Sequence, residues 1–145
     1  MSMATHGRNL VRRWFVEGMN AGDASRARDI SDQIFAVDFM DHDGIDQMTR
    51  GREQWQRAVI DTVFDAFSDI EVTVEKLLAE DQLVAVRYVF TGTHTGPFQG
   101  IAPTHRRIHH SENEIYRIAD GRIAESWGEG DWLGTMRQLG AELAR

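Results

Sequence analysis

Apolar residues recur at helical spacing through the first third of the chain and in alternation through most of the rest. Leu10, Val11, Trp14, Phe15 and Met19 share one helical face, with Arg8, Arg12, Arg13 and Glu17 opposite, and Gly22 ends that helix. Ser25 is placed to cap a second helix in which Ile30 and Ile34 stand four apart, before the alternating stretch Phe35 to Asp43. Trp55, Val59, Val63 and Phe67 repeat every four residues and predict a third helix starting near Gly51. From Ser68 the period becomes two.

Ile70, Val72 and Val74 alternate with Glu71, Thr73 and Glu75, as in a half-buried strand, and a turn at Glu80 and Asp81 leads into a longer strand from Leu83 to about Thr93. Residues 92–104 hold both prolines and read as a loop. A strand over Arg106 to Ala119, a hairpin turn at Asp120 and Gly121, and a last strand from Arg122 towards Asp131 follow. Trp132 to Leu143 reads as a short helix or an ordered cap. Helices first and antiparallel strands afterwards make an α+β protein, one domain over residues 1–145, with helices on one face of a curved sheet and a cavity at its mouth.

Alternation sorts the third long strand into Ile108, His110, Glu112, Glu114 and Tyr116 on one face and His109, Ser111, Asn113, Ile115 and Arg117 on the other. The last strand divides into small residues, Ala124, Ser126, Gly128 and Gly130, against Ile123, Glu125, Trp127 and Glu129. Parity alone leaves open which face is inside, because one bulge reverses it. If the small face looks inward, Ile123 and Trp127 lie on the outer sheet face and predict a homodimer through it.

Composition narrows the chemistry. The 145 residues carry 16 basic and 23 acidic side chains, a net charge of −7, which disfavours nucleic acid and anionic membrane surfaces as partners. With no cysteine, thiolate catalysis and zinc-cysteine sites are excluded. Glu17, Asn20, Asp23 and Arg26 interrupt any leader-like apolar run, and no segment has the length of a transmembrane helix, so a cytoplasmic location is expected. His109 and His110 invite a metal reading with His94 and His105, but neighbouring strand residues point to opposite faces, and no metal is expected.

Several segments in consistent order carry a resemblance. Gly92-Thr93-His94-Thr95-Gly96, Gly100-Ile101-Ala102-Pro103-Thr104, Asp120-Gly121, Asp131-Trp132-Leu133-Gly134 with Gln138-Leu139-Gly140, and the early strand Asp38 to Asp43 together resemble the SnoaL-like polyketide cyclase family over most of the chain. The resemblance implies a cone-shaped α+β barrel of the nuclear transport factor and ketosteroid isomerase kind. It also implies cofactor-free chemistry: an intramolecular aldol condensation that closes a ring of an anthracycline-type polyketide, with an aspartate on the last strand as base.

Counted back from Leu133-Gly134, that aspartate falls on Gly128, while Glu114 stands where the cyclases place a histidine and Glu112 where they place a glutamine. A glycine accepts no proton, so the expected activity shifts to the family's branch of cofactor-independent hydroxylases, in which a deprotonated phenol or hydroquinone passes an electron to oxygen. A separate reductase is a further partner for that chemistry. The alternatives are a cyclase that recruits Glu114 or Asp131, and a non-catalytic binder of a small aromatic ligand. Glu114 is the expected catalytic carboxylate, with Asp41 and His42 as further catalytic candidates. Trp14, Phe15, Trp55, Phe64, Tyr88, His110, Glu112 and Gly128 are the expected contacts of a polycyclic aromatic substrate. Bland readings remain beside these: solvated strand carboxylates, ordinary core aromatics, and a turn at Asp41 and His42 that bonds its own backbone.

Overall fold

Helix formation at the N-terminus follows from its caps and its apolar stripe. In the computed structural model, which describes residues 1–142, Ser2 caps α1 (Met3–Arg13) by accepting the Thr5 N–H. The helix then widens into a π-helical segment, Trp14–Met19, that turns Trp14 and Phe15 inward. Helix α2 (Ala24–Ile34) is capped by Asp23, which accepts the Arg26 N–H at 2.8 Å, and not by Ser25. A carboxylate at the positive helix end outcompetes a hydroxyl two residues late.

Helix α3 (Arg52–Trp55), a second π segment (Gln56–Asp61) and α4 (Thr62–Ala66) continue one into the next. Phe67, expected as the last residue on that helical face, is instead the first residue of a strand, and its buried ring packs against Phe90 and Phe98. Helix α5 (Trp132–Gln138) closes the described chain, and the Leu143 end of the expected cap lies outside the described residues.

The strands are β1 (Phe35–Asp41), β2 (Thr49–Arg50), β3 (Phe67–Glu80), β4 (Leu83–His94), β5 (Arg107–Ala119) and β6 (Arg122–Gly130). They form one six-stranded sheet in the order β2-β1-β6-β5-β4-β3, antiparallel except for β1 beside β6. Its concave face receives the helices. The core at the narrow end is aromatic: Trp55 lies 4.4 Å from Phe35 and 5.4 Å from Trp14 between ring centroids.

Bulges set the faces of the sheet. The register between β5 and β6 shifts between Arg117 and Ile118, so that Ile118 faces Ile123 whereas Arg117 faces Glu125. Ile123 is therefore fully buried in the core, contrary to its expected place on the outer face. Beyond the bulge Ser126, Gly128 and Gly130 pair with Tyr116, Glu114 and Glu112. Trp127 does lie outside, stacked on His42 at 5.0 Å.

The π turn has a steric requirement. A Cβ on Gly18 would stand 2.2 Å from Cε3 of the buried Trp14 ring. Gly18→Ala should therefore destabilise by about 1–3 kcal/mol through forced movement of that ring, measurable by chemical denaturation; an unchanged midpoint would mean that the ring moves freely.

Candidate functional site

The π segment after α1 and helix α3 close over the concave face and leave a chamber of about 90 Å³. Trp14, Phe15 and Trp55 contribute apolar walls from the helices, and Tyr88 and Phe90 do so from β4. Phe98 reaches in from the loop between β4 and β5. That loop turns tightly at Gln99 and Gly100, both with positive φ, and Phe98 and Ile101 bridge its two arms. Gln99 donates to Asp46 Oδ1 at 2.7 Å, joining it to the loop after β1.

The polar wall is made by β1, β5 and β6. Asp41 at the end of β1, and His110, Glu112 and Glu114 along β5, all face the chamber. They fit because the facing strand is nearly bare. A Cβ on Gly128 would come within 2.7 Å of Glu114 Cγ, and one on Gly130 within 2.8 Å of His110 Nε2. The small face of β6 is thus inward, and the room it leaves is filled by side chains of its neighbour.

Hydrogen bonds divide these carboxyls into different states. Glu112 Oε2 accepts from Tyr88 OH at 2.9 Å and lies 3.0 Å from His110 Nε2, while His110 Nδ1 lies 2.7 Å from Thr135 Oγ1. Trp132 packs on the His110 ring at 4.1 Å. Asp41 Oδ1 accepts from the Asp43 amide at 3.0 Å and from Ser126 Oγ at 3.2 Å. Glu114 takes one donor, the Tyr116 hydroxyl, at its Oε2.

Burial raises the Asp41 pKa, against the opposing pull of the Asp43 amide and the Ser126 hydroxyl. Burial, reinforced by the Glu112 charge, holds Glu114 well above its ordinary value of 4.5. The hydroxyls of Tyr88 and Tyr116 are pushed far up by burial and by the neighbouring carboxylates, and so they remain donors.

Of the residues expected at the site, Asp41, Glu114, Trp14, Phe15, Trp55, Tyr88, His110 and Glu112 line the chamber. Three do not. His42 follows Asp41 and points to the opposite face, where its Nε2 meets Glu125 Oε2 at 2.6 Å and Arg117 also holds Glu125. Phe64 is only partly buried and packs against the outside of the core, while Val59 and Val63, on the face that repeats from Trp55, turn inward. Gly128 lies behind the Glu114 side chain. Ser126, Tyr116, Thr135 and Asp43 line the chamber without having been singled out from sequence. Tyr116 had a signal, since it shares the alternating face of Glu112 and Glu114.

Among the described residues no three His, Cys, Asp or Glu side chains gather as a metal site, and no helix is long and apolar enough to cross a membrane. His94 is fully buried with its Nδ1 accepting the Thr104 amide, and His109 lies on the other face of β5 from His110.

Fold and site together define a cone-shaped α+β enzyme with an apolar chamber and an acidic wall. Residues 9–139 match the SnoaL-like polyketide cyclase family. The aklanonic acid methyl ester cyclase DnrD of Streptomyces peucetius is 31% identical over 136 residues, 91% of this chain and 89% of that protein. A candidate SnoaL-like polyketide cyclase from Jannaschia sp. CCS1 superposes with a TM-score of 0.86 at 28% identity, over 99% of this chain and 97% of that one. AclR, a candidate hydroxylase from Streptomyces galilaeus, shares the fold at 22% identity and a TM-score of 0.79, over 94% and 97% of the two chains. The chain belongs to the SnoaL-like polyketide cyclase family and is an enzyme of polyketide biosynthesis.

Glu114 makes a stability test. Between 4.5 and its raised folded value, the folded chain keeps a proton that the unfolded chain has released. Its contribution is undisturbed below that window, becomes destabilising as pH rises through it, and is worst above it. Glu114→Gln should raise the melting temperature at neutral and alkaline pH, with the gain vanishing below pH 4.5. A gain equal at every pH would reject this proton placement.

Proposed function

We propose that this enzyme closes a ring of a polycyclic aromatic polyketide by an intramolecular aldol condensation. The observation that carries this reading is the Gly128 and Glu114 pair: where the resemblance puts an aspartate, the Cβ position is taken by the carboxyl arm of the neighbouring strand. A carboxyl is thereby kept at the reacting end of the chamber although the last strand has lost its own. A relative named as a cyclase, matched over nearly the whole chain, favours cyclisation over hydroxylation.

Charge narrows the substrate. The chamber lining carries four carboxyl groups, Asp41, Asp43, Glu112 and Glu114, and no lysine or arginine among the described residues. A substrate carboxylate would be repelled and poorly solvated there. A substrate whose own carboxyl is masked as an ester fits, in keeping with the methyl ester named for DnrD. In the reaction a carbon next to a carbonyl loses a proton, the resulting enolate attacks a second carbonyl, and the new alkoxide regains a proton. Substrate and product are isomers, and no reductase is required.

Incubation with aklanonic acid methyl ester followed by mass spectrometry tests this. A ring-closed product of unchanged mass, or of mass reduced by one water, is expected. A product heavier by one oxygen would make the enzyme a hydroxylase, and recovered ligand would make it a binding protein.

The outer sheet face supports a homodimer of this enzyme. Leu78, Leu83 and Ile115 are 71%, 42% and 46% exposed on adjoining strands there. Sedimentation at micromolar concentration should give a dimer that Ile115→Asp converts to monomer; a monomeric wild type would remove the proposal.

A further inference from the structure

Two carboxyls with different surroundings lie two strands apart on the polar wall of the chamber, and their hydrogen bonds assign them different work. The register sets Asp41 beside Ser126 and Glu114 beside Gly128, with β6 between. At ~4.8 Å between strands and ~3.4 Å per residue, their backbones are roughly 12 Å apart. Both side chains line the same chamber.

Asp41 is built as an anion with one open oxygen. Its Oδ1 receives the Asp43 amide and the Ser126 hydroxyl, two donors that suit a carboxylate, while Oδ2 has no partner among the described residues and is not sealed from the chamber. Glu114 is built differently. It has a single donor, Tyr116, and on the same face of β5, two residues away, Glu112 is held by Tyr88 and His110. The donors that stabilise negative charge on this wall therefore converge on Glu112 and Asp41, leaving Glu114 as the carboxyl that retains a proton.

Resting on the aldol reading above, we infer that Asp41 is the group that takes the proton from the substrate carbon, with Glu114 as the hydrogen-bond donor to the enolate oxygen. The electron pair of the broken C–H bond moves to the carbonyl oxygen, where the Glu114 carboxyl supports it without giving up its proton. The enolate carbon then forms the C–C bond, the π bond of the acceptor carbonyl breaks, and its oxygen recovers the proton from Asp41 Oδ2. Nothing is oxidised or reduced, and Asp41 ends as it began. The directions of the two acidities agree, since burial raises Asp41 only against two opposing donors and raises Glu114 with the Glu112 charge behind it. Asp43 and Glu112 face Asp41, whereas Glu112, Asp41, Asp43 and the tyrosines face Glu114.

The test compares Asp41→Asn, which keeps Oδ1 as acceptor, with Glu114→Gln. On aklanonic acid methyl ester, Asp41→Asn should lose at least about a hundredfold in kcat/KM together with the acid limb of the pH profile, and should lose deuterium exchange at the substrate carbon in heavy water. Glu114→Gln should keep the acid limb and the exchange and lose the basic limb. The reverse pattern would make Glu114 the base and overturn the inference. Infrared spectra of the free proteins at neutral pH decide the proton placement even if the wild type turns nothing over, an outcome that would sink the aldol reading itself. A protonated-carboxyl band that is absent in Glu114→Gln and present in Asp41→Asn is expected; the opposite loss refutes the assignment.

Discussion

The bare inner face of β6 is the constraint on which the site rests. Side chains on neighbouring strands compete for the volume between them, and a Cβ at Gly128 or Gly130 would occupy space now held by Glu114, His110 and Glu112. Removing side chains from one strand let ionisable groups of the next bend inward without leaving the sheet register. Burial of those groups then follows from the helices that cover the concave face, and their altered acidity follows from burial. The chemistry of the chamber is thus a packing consequence before it is an electrostatic one.

Burying several carboxyls in one apolar chamber is costly unless each finds donors or keeps its proton. Both solutions occur within a few residues. Glu112 sits in a chain from Tyr88 through His110 to Thr135, closed by the Trp132 ring, which fixes the orientation of the imidazole. Glu114 has one hydroxyl for company, and burial beside the Glu112 charge raises its pKa. Such a division of roles among like groups is how one wall can present both an acceptor and a donor of protons at a single pH.

Much of this was legible in the sequence, and the illegible parts share a cause. The α+β order, the strands, the hairpin at Asp120 and Gly121 and the inward set on β5 follow from periodicity and turn chemistry. Family resemblance directed attention to Gly128 and Glu114, which the register pairs across β6 and β5. Ile123 was misplaced because its face depends on one extra residue, and alternation carries no trace of a bulge. Phe64 was misplaced by its aromatic character, although the four-residue repeat from Trp55 already put Val59 and Val63 on the inner face. His42 was named with Asp41 because both match the early strand of the family resemblance, but neighbours on an extended chain face apart and only Asp41 turns inward. The donors that distinguish Asp41 from Glu114 come from β6, from β5 and from the loop after β1, and no local pattern brings them together.

The irregularity between β5 and β6 also partitions one strand into two territories. Ile123, on its near side, belongs to the aromatic base of the cone, and on its far side Ser126 lines the chamber while Gly128 and Gly130 make room for the Glu114, His110 and Glu112 side chains that line it. Within nine residues β6 passes from a segment answerable to folding to one answerable to substrate. Sequence drift on the far side can therefore remodel chemistry while the scaffold stays intact, which gives a lineage built on this barrel freedom to exchange one reaction for another.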